Sequence, residues 1–161
     1  MVSRRALLAG GAVALLAGCG EDDDVFAQPA DALLRQLAAE RALVAATGEL
    51  PSGAPRAAAD TVREVSDRSQ ARAQELAAAV AGEGGRPHDA PQPAAERLDA
   101  REALARAQAA IVAHVVALPS LAGRKLRLFG ADLVAGAAAD TALLSDALGL
   151  PVDDPFPGTP R

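Results

Sequence analysis

The chain has 161 residues, half of them hydrophobic, and a net charge of −5 from 16 basic and 21 acidic residues. That length supports one domain, and a single Cys excludes both an internal disulfide and a zinc site built from several thiolates. The absence of Trp and Tyr argues against stacking surfaces for single-stranded nucleic acid, and the acidic balance argues against binding to a phosphate backbone. The hydrophobic residues include 42 Ala, which favour helices but bury little area, so we expect closely packed helices and a thin core.

Residues 1–18 have the features of an export signal. Arg4 and Arg5 precede an uncharged stretch over residues 6–18. A basic start, a short apolar stretch and small residues before a cut are typical of a cleaved signal peptide. The stretch falls short of the roughly 20 residues that a permanent membrane-spanning helix needs.

Two motifs make this prediction more specific. The sequence Leu16, Ala17, Gly18, Cys19 resembles a bacterial lipobox, which implies a diacylglycerol on the Cys19 thiol and cleavage at its amino side. Residues 3–8, Ser-Arg-Arg-Ala-Leu-Leu, are similar to a twin-arginine motif, which implies export of a folded domain and permits a cofactor. An arginine pair also serves general secretion, so both routes stay open.

Cleavage would leave 143 residues with a net charge of −7. Two or three acyl chains on Cys19 would anchor them stably on the extracytoplasmic face of the cell membrane. Residues 19–29 form a charged tether, and anionic lipid repels Asp22, Asp23 and Asp24. We therefore expect the tether to act as a spacer.

Residues 30–150 divide at Gly and Pro into four helical segments. The predicted bounds are 30–47, 55–82, 93–119 and 120–149, and no segment shows the alternation of a strand. Short connections make sequential helices antiparallel neighbours, so the predicted fold is all-α, an up-down-up-down four-helix bundle. Residues 151–161 contain four Pro and are predicted to form an extended tail that packs on the bundle through Phe156.

Helical winding places polar residues on the inward faces of these segments. Glu40 lies within the apolar stripe of the first segment, and Asp140 lies at the centre of the stripe of the fourth. Arg101 and Gln108 share the face predicted to be inward in the third. A buried ionised carboxylate is costly unless it is paired, protonated or bound to a metal. The partners of Glu40 and Asp140 therefore decide whether the core holds structural ion pairs or a metal site.

An exported four-helix chain with Glu40 midway along its first helix resembles the ferritin-like superfamily. The last segment adds to the resemblance, reading Leu-Pro-Ser-Leu-Ala-Gly-Arg-Lys-Leu-Arg-Leu-Phe and later Ala-Asp-Thr-Ala-Leu-Leu-Ser-Asp-Ala-Leu-Gly. The chain looks more like a branch of uncharacterised bacterial domains that follow twin-arginine signals, and the resemblance covers residues 30–150. Catalytic members hold two iron or manganese ions with one Glu from each of two helices and a Glu-x-x-His pair from each of the others. The resemblance implies that Glu40 corresponds to the first Glu.

Most of the remaining ligands of such a centre are missing here. His88 lies in the long loop, and His114 lies off the predicted stripe of the third segment. We therefore expect a member whose metal site has been lost, with no catalytic residue and no cofactor. The inward positions of the second, third and fourth segments hold instead Ser66, Ser69, Ala73, Gln108 and Asp140.

Three functions follow from these observations. The first is a non-catalytic, membrane-anchored module that contacts a protein partner or a second copy of itself. The alternative is an exported oxidase or metal-storage protein that holds iron or manganese through Glu40, Asp140 and Gln108. A third is a carrier with an apolar cavity for a small ligand. In the non-catalytic module, the carboxylates of Glu40 and Asp140 would pair within the core, and their candidate partners are Arg72, Arg101, Ser69 and Gln108.

Overall fold

Four long α-helices account for most of residues 28–94 and 97–152, the part of the chain that the computed structural model describes. They are α1 (Pro29–Thr47), α2 (Ala59–Gly82), α3 (Ala100–Ala117) and α4 (Gly123–Leu148). The predicted all-α, four-helix class is confirmed. The predicted signal peptide, Cys19, most of the tether and most of the C-terminal tail lie outside the described residues.

Helix α3 begins seven residues later than predicted, because a capping box fixes its start. The Asp99 carboxylate accepts hydrogen bonds from the backbone N–H of Arg101 at 2.8 Å and of Glu102 at 2.9 Å. The Glu102 side chain in turn accepts from the backbone N–H of Asp99 at 2.9 Å. These bonds satisfy backbone donors that the first turn of a helix leaves unpaired. Pro93 therefore lies in the connection and not in the helix.

The connection between α2 and α3 crosses the bundle from one end to the other. Backbone hydrogen bonds join Ser52, just after α1, to Leu98 and Ala100 at the start of α3, with N···O distances of 3.0 and 3.2 Å. The end of α1 and the beginning of α3 therefore lie at the same end of the bundle. The Arg41 guanidinium holds the crossing segment against α1 by donating to the Ala90 carbonyl at 2.9 Å.

The predicted up-down-up-down order is therefore wrong. The helices run up, down, down, up, and each packs against two antiparallel neighbours in the ring order α1, α2, α4, α3. The seventeen residues from 83 to 99 can span about 56 Å when extended, and α2 is only about 36 Å long. A connection of this length permits either direction for α3, and the packing of the four helices selects the crossed one.

Two apolar clusters fill the interior. The proximal cluster lies at the end where α1 and α4 begin and includes Leu33, Leu76 and Leu133. The distal cluster lies at the opposite end and includes Leu43, Leu104 and Leu144. Among the described residues, 11 of the 24 buried hydrophobic side chains are Ala, so the core is thin, as the composition predicts.

The inward face of α3 differs from the predicted one. Arg101 is exposed, and Gln108 and Val112 are only half-buried, whereas His114 is completely buried. The buried face is defined largely by Ala, because the closest contacts between helices are made by the smallest side chains. The residues that define the buried face, besides Leu104, Ile111 and His114, are Ala103, Ala107, Ala110 and Ala117.

Helices α3 and α4 also meet the length and composition expected of membrane-spanning segments. The stretches Ala100–Ser120 and Gly123–Leu148 both have a mean hydropathy of 1.3. This is weak evidence for membrane association, because the core helices of a soluble bundle pass the same test. Within the bundle, 39% of the first apolar window and 33% of the second is buried.

Candidate functional site

A layer of polar and charged side chains crosses the bundle between the two apolar clusters. Helix α1 contributes Glu40, α2 contributes Ser69 and Arg72, α3 contributes His114, and α4 contributes Asp140. Four of these side chains are completely or almost completely buried, and the side chain of Arg72 is 12% exposed. We call this set the mid-bundle layer.

The fold brings these residues together through helix spacing and helix direction. Ser69 and Arg72 are three residues apart and so share one face of α2. Helices α1 and α3 are antiparallel neighbours, and His114, three residues before the end of α3, contacts Glu40 on α1. Helix α2 packs against both α1 and α4, so Arg72 reaches acids on two helices.

The Glu40 carboxylate is held by groups from two neighbouring helices. Its Oε1 accepts hydrogen bonds from Arg72 Nε at 2.8 Å and from His114 Nε2 at 2.7 Å. Its Oε2 accepts from Arg72 Nη2 at 3.2 Å and from Ser69 Oγ at 2.5 Å. An ionised carboxylate can only accept, so this arrangement requires the His114 proton to be on Nε2.

Two opposing effects set the pKa of Glu40. Burial alone would raise the pKa, because it penalises the charged form. The hydrogen bonds from His114 and Arg72, together with the positive charge of Arg72, outweigh burial and lower the pKa of Glu40 below its ordinary value. The carboxylate is therefore charged at neutral pH, although it is buried.

Asp140 shares the same arginine. Its Oδ2 lies 2.8 Å from Arg72 Nη2 as an ion pair, and its Oδ1 accepts a hydrogen bond from Arg68 Nε at 2.7 Å. Arg68 also pairs with Glu64 at the surface. A continuous chain of charges thus leads from solvent to Glu40. Burial would lower the pKa of Arg72, but Glu40 and Asp140 raise it, so the guanidinium stays cationic.

A glycine leaves the space that the guanidinium needs. Gly136 lies one turn before Asp140 on α4, and a Cβ at this position would be 3.3 Å from Arg72 Nη1. That distance is tighter than ordinary van der Waals contact. A Cβ at this position would require the Arg72 guanidinium to shift by a few tenths of an ångström.

Some buried polar atoms in and near the layer have no hydrogen-bond partner among the described residues. They are both side-chain polar atoms of Gln36, one turn from Glu40, His114 Nδ1, Arg68 Nη2 and Asp140 Oδ2, which meets Arg72 as an ion pair without a hydrogen bond. An unsatisfied buried polar group costs about 1–3 kcal/mol. The layer therefore contains polar groups that take no part in its hydrogen bonds.

The residues of the layer do not fit a metal centre. Within residues 28–94 and 97–152, no group of three or more His, Cys, Asp or Glu residues is placed to hold a metal ion. The guanidinium of Arg72 contacts both Glu40 and Asp140, so a protein cation already balances the two carboxylates that the sequence suggested as ligands. Gln108, the third suggested ligand, is half-buried and forms no hydrogen bond with either acid.

The structure selects among the partners that the sequence left open. Arg72 and Ser69 pair with Glu40 as expected, whereas Arg101 and Gln108 do not. His114 belongs to the layer, and the prediction that it lies off the inward face is wrong. A signal for it exists in the sequence, because the buried positions 103, 107, 110, 114 and 117 follow the alternating spacing of four and three typical of a helix seam.

A shallow groove of about 350 Å³ lies elsewhere, on the outer side of α1 and α3. It is lined by Arg35, Ala109, Val112, Ala113 and Val116. None of these residues belongs to the mid-bundle layer, so the groove gives no access to the buried charges.

Comparison with known proteins finds no matching family, no matching curated protein and no matching solved structure.

Removing the central cation should strongly destabilise the fold. Arg72→Met leaves Glu40 and Asp140 without their shared partner and should lower the free energy of unfolding by about 3–5 kcal/mol. Arg63→Met, on the exposed face of the same helix, is the matched control and should cost about 0.5 kcal/mol or less. Urea unfolding followed by circular dichroism measures both. A loss below about 1 kcal/mol in Arg72→Met would contradict the role assigned to this arginine.

The stability of the bundle should depend on the charge of Glu40. Because folding lowers the pKa of Glu40, the carboxylate contributes its full stabilisation above about pH 4.5, its ordinary pKa, and loses it as the pH falls through the lowered value. Below about pH 4.5 the wild type should therefore lose stability more steeply than Glu40→Gln. Urea unfolding across this range tests the difference, with Glu75→Gln at an exposed position of α2 as the control. Parallel curves for the wild type and Glu40→Gln would show that the Glu40 pKa is not lowered.

Proposed function

We propose that this chain is an exported lipoprotein, anchored through Cys19 to the extracytoplasmic face of the cell membrane, whose helical bundle is a non-catalytic interaction module. The observation that carries the anchoring is the sequence Leu16, Ala17, Gly18, Cys19 at the end of an uncharged stretch that follows Arg4 and Arg5. Stable anchoring requires two or more acyl chains, which a lipid-modified N-terminal cysteine supplies.

We also propose that the bundle is ferritin-like. Such folds have one long crossover connection, and residues 83–99 form a crossover of this kind. Glu40 lies mid-way along α1, and Ser69 and Arg72 on α2 have the three-residue spacing of the Glu-x-x-His pair that catalytic members carry. Asp140 on α4 is a second acid turned into the same layer. These placements support the resemblance that the sequence suggested.

The contacts of Arg72 support a non-catalytic role. In a dinuclear centre, bridging carboxylates cancel the charge of two metal ions. Here a guanidinium at 2.8 Å from both Glu40 and Asp140 cancels their charge instead. The acids therefore fix the register of the helices, and the functional contacts of the domain are made by its surface, with a protein partner or a second copy.

Lipid attachment can be tested directly in bacterial cells. Radiolabelled fatty acid should enter the wild type but not Cys19→Ser, because the thiol is the attachment point. The wild type should also fractionate with membranes. A fully soluble and unlabelled wild-type product would exclude the anchor. Replacing Arg4 and Arg5 together by Lys separates the export routes, because general secretion requires only a basic start and tolerates this change.

Metal analysis tests the non-catalytic half of the proposal against the oxidase or storage alternative. The chain is produced in medium supplemented with iron or manganese, purified and analysed by mass spectrometry of the elements. We expect less than stoichiometric metal in the wild type, with no change in Glu40→Gln. Stoichiometric iron or manganese that disappears in Glu40→Gln would overturn the non-catalytic role and establish the alternative.

A further inference from the structure

The beginning of α4 presents an exposed basic and apolar surface at one end of the bundle. Arg124, Lys125 and Arg127 are all exposed, and Leu128 beside them is 55% exposed, the highest value among the large hydrophobic residues described. Leu126 and Phe129, by contrast, turn inward and pack on the proximal cluster. We call Arg124, Lys125, Arg127 and Leu128 the proximal patch.

Neither local structure nor ion pairing explains these charges. None of the three cations forms an ion pair with a described residue. They lie in the first turns of α4, where the helix dipole disfavours positive charge, and that helix has no acid in its first turn. The patch includes the only Lys of a chain with 15 Arg and a net negative charge. The three cations are repelled by one another and by the positive end of the helix dipole, and an external anion would relieve that repulsion.

The position of the patch indicates which anion meets it. The described chain begins at Gln28, just before α1, and α1 begins at the same end of the bundle as α4. Nine Cα–Cα steps lead from Cys19 to Gln28 and can span at most about 30–32 Å. If Cys19 carries lipid, as the proposed function requires, Gln28 is held within that distance of the bilayer surface, and the proximal patch lies at the same end of the bundle.

We propose that the proximal patch docks on the anionic headgroups of the membrane that anchors the chain, with Leu128 inserted at the interface. Exposed basic side chains supply the attraction to anionic lipid, and an apolar side chain between them supplies contact with the acyl boundary. The distal end of the bundle, where Asp99 and Glu102 form a capping box, then faces away from the membrane. This inference rests on the proposed lipid anchor and adds an orientation to it, and it departs from the expectation that the acidic tether keeps the bundle away from the membrane.

Other charges at this end set limits on the attraction. Asp132, one turn after Leu128 on α4, is exposed, as are Asp31 on α1 and Glu83 after α2, and Arg86 lies close to Glu83 in sequence. The acidic run at residues 21–24 belongs to the tether and competes with lipid for the same cations. An anionic membrane presents many headgroups, whereas residues 21–24 have only four carboxylates. We therefore expect the cations of the patch to bind lipid at moderate salt.

The experiment uses the lipidated mature chain reconstituted into vesicles. Mass spectrometry of the N-terminal peptide first establishes whether Cys19 carries lipid, so a failed anchor is recognised separately from a failed docking. Because Cys19 is the only Cys and is blocked by lipid, a nitroxide label can be placed at one new position. Leu128→Cys reports on the patch, and Leu143→Cys, 42% exposed towards the distal end of the same helix, is the matched control.

In vesicles that contain phosphatidylglycerol, the Leu128→Cys label should collide with lipid-dissolved oxygen more than with an aqueous nickel chelate, and the Leu143→Cys label should not. Phosphatidylcholine vesicles, or salt raised from about 0.1 M to about 1 M, should abolish the difference, because salt at that level screens charges beyond about 3 Å. A lipidated chain whose Leu128→Cys label stays in water in both kinds of vesicle would overturn the proposal.

Charge variants test the cations themselves. Each basic residue near an anionic surface strengthens binding about fivefold, so replacing all three cations of the patch by Gln should lower the membrane-contacting population about tenfold or more. The matched control replaces three exposed arginines near the distal end and should leave contact unchanged; they are Arg56, Arg101 and Arg106. Contact that appears only after Asp22, Asp23 and Asp24 are replaced by Asn would show that the acidic run occupies the patch, and docking on lipid would be refuted.

Discussion

Two buried carboxylates on different helices share one cation, and the bundle is arranged around that contact. Glu40 and Asp140 belong to α1 and α4, which lie diagonally across the ring of helices. Only a helix that neighbours both can carry the cation, and α2 does so through Arg72. An uncrossed bundle would place α2 beside α1 and α3, away from Asp140. The crossover at residues 83–99 and the shared arginine therefore depend on each other.

The same layer explains how a thin, Ala-rich core specifies one arrangement. Small side chains let the helices approach closely but offer few distinct shapes, so apolar packing alone discriminates weakly between alternative registers. A shift of one helix by a turn would separate Arg72 from its acids and leave charges buried without partners. Breaking a buried ion pair costs more than the pair contributes relative to apolar residues. The layer thus opposes wrong registers more than it adds stability.

The charges of the layer also bear on the resemblance to ferritin-like proteins. A carboxylate from α1, a three-residue pair on α2 and an acid on α4 surround one point in the core, but the group at that point is a guanidinium. Gly136 provides its space, and His114 completes the contacts of Glu40. The contacts of this arginine with both acids are the observation on which the proposed non-catalytic role rests.

The sequence by itself determined the helical class, the approximate bounds of α1, α2 and α4, and the inward placement of Glu40 and Asp140, because these follow from periodicity and from Gly and Pro within each segment. Tertiary structure decided the start and buried face of α3, the inclusion of His114 and the choice of Arg72 over Arg101. The periodicity of large apolar residues does not reveal the buried face of α3, because that face is defined by Ala. The closest contacts between helices favour the smallest side chains. The direction of α3 and the partners of the acids depend on distances between segments, which local sequence does not encode.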